Sequence, residues 1–295
     1  MDFFIYNNVK KMYYLNKKNM EKTLVYHVYL SDDIETNLAY KINAECLKYY
    51  ITNFDNVKYV IVMDNLDDLE LRLKGINYVS NIKFNGNVNI VFRKNTELGE
   101  AATVRDYVVN TNDNNEMIFF CHTKGISAFK TTDGKANLNS ITNWILTMYF
   151  YNLNFIDEVS GYFQGGKGPV EAFYGTLLMS LTDTEKYPIF LPKLHYSGSF
   201  YWINKPFINK IKHNFNYDNY VFSNRYDTEF FPGYVFNYNK WGGGLVSHNN
   251  VKIKLEGLLG SFYVMSDEMW EKIFDILGDK IEFYKFKEII MNKVE

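Results

Sequence analysis

Four short runs of apolar, β-branched and aromatic residues, set between Thr23 and Gly125, constrain this chain more than any other feature. Leu24–Leu30, Tyr59–Met63, Asn89–Phe92 and Met117–Cys121 read as strands. Glu35–Tyr50, with Leu38, Ile42, Cys46 and Tyr49 on one face, reads as a helix, and so does Glu100–Val109. The strands are continuously apolar rather than alternating. Such strands are buried on both faces, which is the condition of a parallel sheet covered by helices. Right-handed crossovers then build a Rossmann-like half. In sheets of this kind ligands gather beyond the carboxyl ends of the strands, so the residues just after each strand matter most.

Past Gly125 the pattern changes. Ser140–Leu153 is helical, with Trp144, Met148 and Tyr151 at helical spacing. Gly161–Val170 reads as a glycine-rich loop and Glu171–Leu181 as a further helix. Pro188–Leu194, Phe200–Ile203 and Tyr234–Phe236 are shorter strand candidates. Ser266 is a good N-cap for a helix over Asp267–Leu277 that Gly278 stops, and Phe283–Met291 forms a last amphipathic helix. The expected fold class is therefore α/β, a mixed sheet flanked by helices with C-terminal helices. Residues 1–22 read as an appendage, 23–265 as one domain with halves 23–125 and 126–265, and 266–295 as a C-terminal helical segment.

Charge and cysteine usage narrow the function. The net charge is -2 over 295 residues, and no basic run sits beside an aromatic series, which argues against a nucleic-acid surface. Cys46 and Cys121 do not make a disulfide framework, as expected of a reducing, cytoplasmic setting. Met1–Met20 lacks an apolar core of signal-peptide type, and no apolar run is long enough to span a bilayer; at most peripheral membrane association is expected. Arginine is confined to Arg72, Arg93, Arg105 and Arg225. In a lysine-rich chain this singles out Arg105 and Arg225 for bidentate phosphate or carboxylate contacts.

Three motifs could carry chemistry. His122-Thr123-Lys124-Gly125 follows the fourth strand directly. It is either a cationic diphosphate site or a turn that needs Gly125 at positive φ. His195-Tyr196-Ser197-Gly198-Ser199-Phe200-Tyr201-Trp202 sets small residues among rings, which suits either a sugar or a bulged edge strand. Arg225-Tyr226-Asp227-Thr228-Glu229 enters a short helix, where Asp227 and Glu229 are either a general base or an acidic first turn.

Taken in order, these motifs, with Tyr26-His27-Val28-Tyr29, Gly99-Glu100-Ala101-Ala102-Thr103, and Trp144 followed by Met148-Tyr149-Phe150, resemble a group of GT-A-type glycosyltransferases found in bacterial surface-polysaccharide loci and large DNA viruses. The resemblance covers roughly residues 24 to 240. It implies a GT-A fold, a nucleoside-diphosphate sugar donor and a glycan or lipid-linked acceptor. By position it assigns His122, Thr123, Lys124 and Gly125, with Arg105 and Arg225, to the donor. Arg105 either reaches the nucleotide or pairs with Asp106 or Glu100. His195, Ser197, Gly198, Tyr201 and Trp202 fall to the sugar or acceptor, and Glu229, with Asp227 second, to the catalytic base. The chain departs from the wider GT-A pattern in one respect: His122-Thr123-Lys124 stands where an Asp-x-Asp metal motif is usual. Either Lys124 replaces the metal as the charge on the diphosphate, or Asp64, Asp67 or Asp68 completes a site for Mn²⁺ or Mg²⁺; the first is preferred. The competing class is a non-catalytic carbohydrate-binding protein with a degenerate transferase fold.

Gly161–Gly168 nearly spells a phosphate loop, but Gly168 occupies the Ser/Thr position. His27, His122, His195 and His248 lack zinc-ligand spacing, and His27 reads as a core residue.

Overall fold

The computed structural model describes residues 20–111, 116–126, 137–165, 171–180, 194–211, 227–238, 245–250, 262 and 264–294. Each of the four apolar runs forms a strand: β1 (Glu21–Tyr29), β2 (Asn56–Met63), β3 (Asn87–Lys94) and β4 (Glu116–His122). β1 pairs in parallel with both β2 and β4, and β2 with β3. Beyond β4 the sheet continues with short strands. β5 (Phe173–Gly175) is followed in the chain by β6 (Leu178–Ser180), β7 (Leu194–Tyr196), β8 (Tyr201–Asn204) and β9 (Leu245–Ser247). The seven-stranded order is β3-β2-β1-β4-β8-β5-β9, with β6 and β7 forming a separate antiparallel pair. β8 alone runs against its neighbours β4 and β5. The expected mixed α/β sheet is present, and its layout is compatible with a GT-A architecture.

Helices cover both faces. One face carries Leu24, Tyr26, Val28, Ile61 and Phe119 and packs against α1 (Leu38–Tyr50), α4 (Leu138–Leu153), α8 (Asp267–Leu277) and α9 (Lys280–Val294). The other carries Val25, Val60, Ile118, Phe120 and Tyr201 and packs against α3 (Gly99–Val104), which runs on as a π-helical turn (Arg105–Val109), α6 (Lys205–Ile211) and α7 (Asp227–Tyr238). α2 (Leu69–Ser80) joins β2 to β3 and is capped by Asp68, whose carboxylate accepts from the Leu71 N–H. α5 (Ile156–Phe163) follows α4.

α4 has no polar face, because residues 140–153 are all buried. Part of its polar complement binds backbone of the neighbouring strand. Asn152 donates to the Phe200 carbonyl at 3.4 Å and accepts, through its own carbonyl, from Trp202 Nε1 at 2.7 Å. The C-terminal helices belong to the same core through Trp270, Phe274, Phe283, Phe286 and Ile290.

Three local expectations change. The segment expected to be helical over Glu171–Leu181 holds β5 and β6 instead. Phe173 and Tyr174 are strand-prone rings, and pairing with β8 outweighs local helix propensity. Gly175 is required there, since a Cβ would lie 2.6 Å from the Tyr196 ring. Tyr234–Phe236 is part of α7 rather than a strand, and the helix continues through Pro232. Proline has no N–H to offer the Thr228 carbonyl four residues earlier. The Tyr201 hydroxyl supplies that donor at 3.0 Å, which lets the helix pass the proline intact. Third, α5 extends through Gly161 to Phe163, shortening the expected glycine-rich loop; residues 166–170 lie outside the described residues.

Candidate functional site

Reversal of β8 is what builds the site. Met117 pairs with Asn204 and Phe120 with Tyr201, so β8 begins where β4 ends. The turn 197–200 is thereby delivered to the carboxyl ends of the parallel strands, the end where His122 stands.

Gly198 is the joint of that turn. Its φ is +96°, in the left-handed region. A Cβ there would lie 2.7 Å from Met148 Cε and 3.4 Å from Trp144 Nε1, so α4 packs directly on the glycine backbone. The Gly198 N–H donates to Glu229 Oε1 at 2.9 Å, and the Gly198 carbonyl accepts from His122 Nε2, also at 2.9 Å. Glu229 lies in the first turn of α7, where a carboxylate meets the positive end of the helix dipole. Asp227, at the start of the same helix, is buried.

His122 is buried and packs against Phe200, ring centroids 5.4 Å apart. A carbonyl can only accept, so Nε2 carries a proton. Nδ1 faces Glu100 Oε1 at 3.3 Å. Burial lowers the His122 pKa to about 4, with Lys124 and His27 adding to the effect and Glu100 opposing it. Burial alone would raise the Glu100 carboxyl, but His122, His27 and Lys124 outweigh it and hold it below its ordinary value. His27 itself hydrogen-bonds Thr103 Oγ1 at 2.8 Å and is lowered to about 4 by burial. This matches its reading as a core residue.

Lys124 is buried, with its ammonium 3.9 Å from the centre of the Trp144 ring. A cation on an indole face gains about 0.5–2 kcal/mol. Its backbone is fixed by Asn43, whose amide donates to the Lys124 carbonyl at 3.0 Å and accepts from the Tyr149 hydroxyl at 3.0 Å. Trp144 thus touches Lys124 on its ring and approaches Gly198 with its nitrogen. Lys124 and Glu229 therefore converge on one corner of the molecule.

The remaining expected residues fall in several places. The Thr123 hydroxyl accepts from Tyr29 N at 3.1 Å and its N–H donates to the His27 carbonyl, tying β1 to the turn. Gly125 adopts φ +85°, the turn conformation foreseen for it. Ser197 bonds through its N–H to the Leu177 carbonyl, and the His195 backbone pairs with Met179. Arg105 pairs with Asp106 at 2.7 Å, which also binds Arg93, so of its two readings the structure displays the pairing one. Arg225 lies outside the described residues. Tyr201 and Trp202 need correction as sugar-facing rings. Both are fully buried; Trp202 lies against Phe54 and Phe119, and the Tyr201 hydroxyl is committed to Thr228.

The alternative metal set does not assemble. Asp64 accepts from Asn95 and Tyr29, Asp68 caps α2, and among the described residues no three His, Cys, Asp or Glu side chains converge as metal ligands.

Glu100 is the member of this cluster that sequence reading left without a site role. Its signal was present: a carboxylate in the first turn of the helix that leads into β4.

One cleft lies elsewhere, at the amino ends of β1–β4, lined by Thr23, Lys58, Asn87, Asn89 and Tyr107 among others. It contains none of the groups at the Gly198 corner.

No family model matches the chain, and no curated protein matches it. Among solved structures it is similar to the 4-diphosphocytidyl-2C-methyl-D-erythritol synthase of Anaerococcus prevotii. The likeness spans 80% of this chain and 94% of that one, with 10% identity and a TM-score of 0.38. It concerns the course of the backbone alone. Among the described residues no helix is long and apolar enough to cross a membrane.

Proposed function

We propose that this chain is a glycosyltransferase that moves a sugar from a nucleoside-diphosphate donor to a hydroxyl of a glycan or lipid-linked acceptor. The observation that carries the reading is the double use of Gly198, which joins the His122 turn to the Glu229 carboxylate through one residue. In this reading Glu229 takes the proton of the acceptor hydroxyl. The resulting oxygen attacks the anomeric carbon, the bond from that carbon to the diphosphate breaks, and the nucleotide leaves with the electron pair. Lys124 answers the charge developing on the diphosphate, the electrostatic task that a divalent ion performs in related chemistry. A base on the acceptor side implies inversion. Asp227, two residues before Glu229, is the second choice for that base. The reading carries with it a cytoplasmic location and at most peripheral contact with a membrane.

A panel of nucleotide sugars, scored by donor hydrolysis and by calorimetry, tests it. One or a few donors should bind and turn over. Glu229→Gln should lower turnover about 10²–10⁴-fold with donor affinity nearly intact. Unchanged turnover would remove the base, and binding of free glycans without nucleotides would replace the enzyme by a carbohydrate-binding protein.

A further inference from the structure

We propose that Glu100 and His122 form a positioning pair that holds the Gly198 peptide, and through it the Glu229 carboxylate, in one orientation. Its catalytic meaning rests on the reading of Glu229 as base; its structural content does not. Four elements meet here: α3 supplies Glu100, β4 His122, the turn before β8 Gly198, and α7 Glu229.

His122 is poorly suited to grip a diphosphate. Both ring nitrogens face protein oxygens, one face packs on Phe200, and its side chain is only 10% exposed. It is well suited to fix a peptide. A bond from Nε2 to the Gly198 carbonyl sets the plane of the peptide that follows Gly198, while the Gly198 N–H anchors Glu229 at the other end of the same residue. Glycine at φ +96° has no side chain to limit its rotation, so external bonds must do so.

Proton accounting defines the role of Glu100. With Nε2 committed as a donor, a neutral His122 turns a lone pair toward Glu100. The Nδ1···Oε1 contact, 3.3 Å, lies just beyond the usual hydrogen-bond range. It closes as a hydrogen bond when the pair takes up one further proton, on Nδ1 or on the carboxyl. The charged and titratable groups around the pair are His27 from β1, Lys124 after β4 and Glu229 from α7, with Arg93 of β3 acting on His27.

Hydrogen exchange of the Gly198 amide and ¹⁵N shifts of the His122 ring, read by NMR on the full chain, test the pair without any substrate. Loss of a bond of this kind is worth about a tenfold change or more. At about pH 4 and below, where the pair holds its further proton, Glu100→Ala and His122→Ala should each speed Gly198 exchange about tenfold relative to the amides of β4 and β8; near neutral pH, where Nδ1 and the carboxylate share no proton, only His122→Ala should do so. Glu100→Gln should restore protection, because its amide donates to Nδ1 without an added proton. His122→Gln should do the same, because its amide nitrogen can stand in for Nε2. Should an alanine variant fail to fold, Glu229→Ala serves: it should shift the His122 Nε2 resonance through the single intervening residue. Unchanged Gly198 exchange at the lower pH in folded alanine variants, equal acceleration throughout β4 and β8, or an unmoved Nε2 resonance would each overturn the proposal. If a donor is turned over, kcat should fall in His122→Ala with KM kept and recover in His122→Gln. A failure of that arm alone, with the exchange results as expected, would count against Glu229 as base and leave the pair standing.

Discussion

The two halves of the sheet hold together by different means. β1, β2 and β4 are seven to nine residues long and bury apolar side chains on both faces, so their pairing is fixed by continuous packing. β5, β8 and β9 have three or four residues each, too few to define a register alone. They are tied instead by single side-chain bonds to backbone: Asn152 and Trp202 across the α4–β8 contact, Tyr201 to Thr228, and Asn204 to the Phe163 and Glu171 carbonyls. The contrast teaches where a site can form. A rigid parallel half supplies a fixed wall, and a half assembled from individual bonds can present glycine turns and helix ends to it.

That contrast can be broken most forcefully at the seam. Trp202→Ala should cost about 3–5 kcal/mol in chemical denaturation, because the indole packs against both Phe54 and Phe119 and also bonds to the Asn152 carbonyl. A loss below 1 kcal/mol would mean that the seam is looser than its packing implies.

The buried His27 gives the next effect. Its folded pKa, about 4, lies below the ordinary 6.5. Its contribution is therefore complete above pH 6.5, declines as the unfolded chain takes up a proton that the folded chain refuses, and is gone below pH 4. Stability measured by urea should fall by up to about 3 kcal/mol across that window on this account, and His27→Gln should remove that part of the slope.

Two tyrosines sharpen the comparison further. Tyr201→Phe removes the donor that replaces the missing proline N–H on Thr228 and should cost about 1–3 kcal/mol. Tyr59→Phe, in the parallel half, should change stability by less than about 0.5 kcal/mol or raise it, because that buried hydroxyl meets no partner among the described residues. Thermal melts of the two variants side by side decide the matter. Equal losses would erase the distinction between the halves.

Much of the fold was legible in advance where it depends on pattern. The four parallel strands, α1, α4 and the C-terminal helices all follow from local periodicity and caps such as Ser266. The second half was harder to read for a physical reason. β5 and β6 are specified by partners distant in the chain, and α7 survives Pro232 by a bond from Tyr201, neither of which leaves a local trace. At the site, the motif residues His122, Lys124, Gly198 and Glu229 do come together. Trp202 misled because an aromatic beside small residues looks the same whether it faces a sugar or a core. Glu100 was passed over because its partner, His122, lies 22 positions away and only the crossover into β4 brings them close.

Cys46 on α1 and Cys121 at the end of β4 are both sealed, and burial pushes each thiol well above its ordinary pKa. Since only a thiolate reacts readily with alkylating reagents, the native fold should keep both silent. Modification of Cys121, one residue before His122, then becomes a stopwatch for how often the wall of the site breathes open. Cys46 keeps the same time for the helical layer behind it, so the chain carries two chemical clocks without any engineered label.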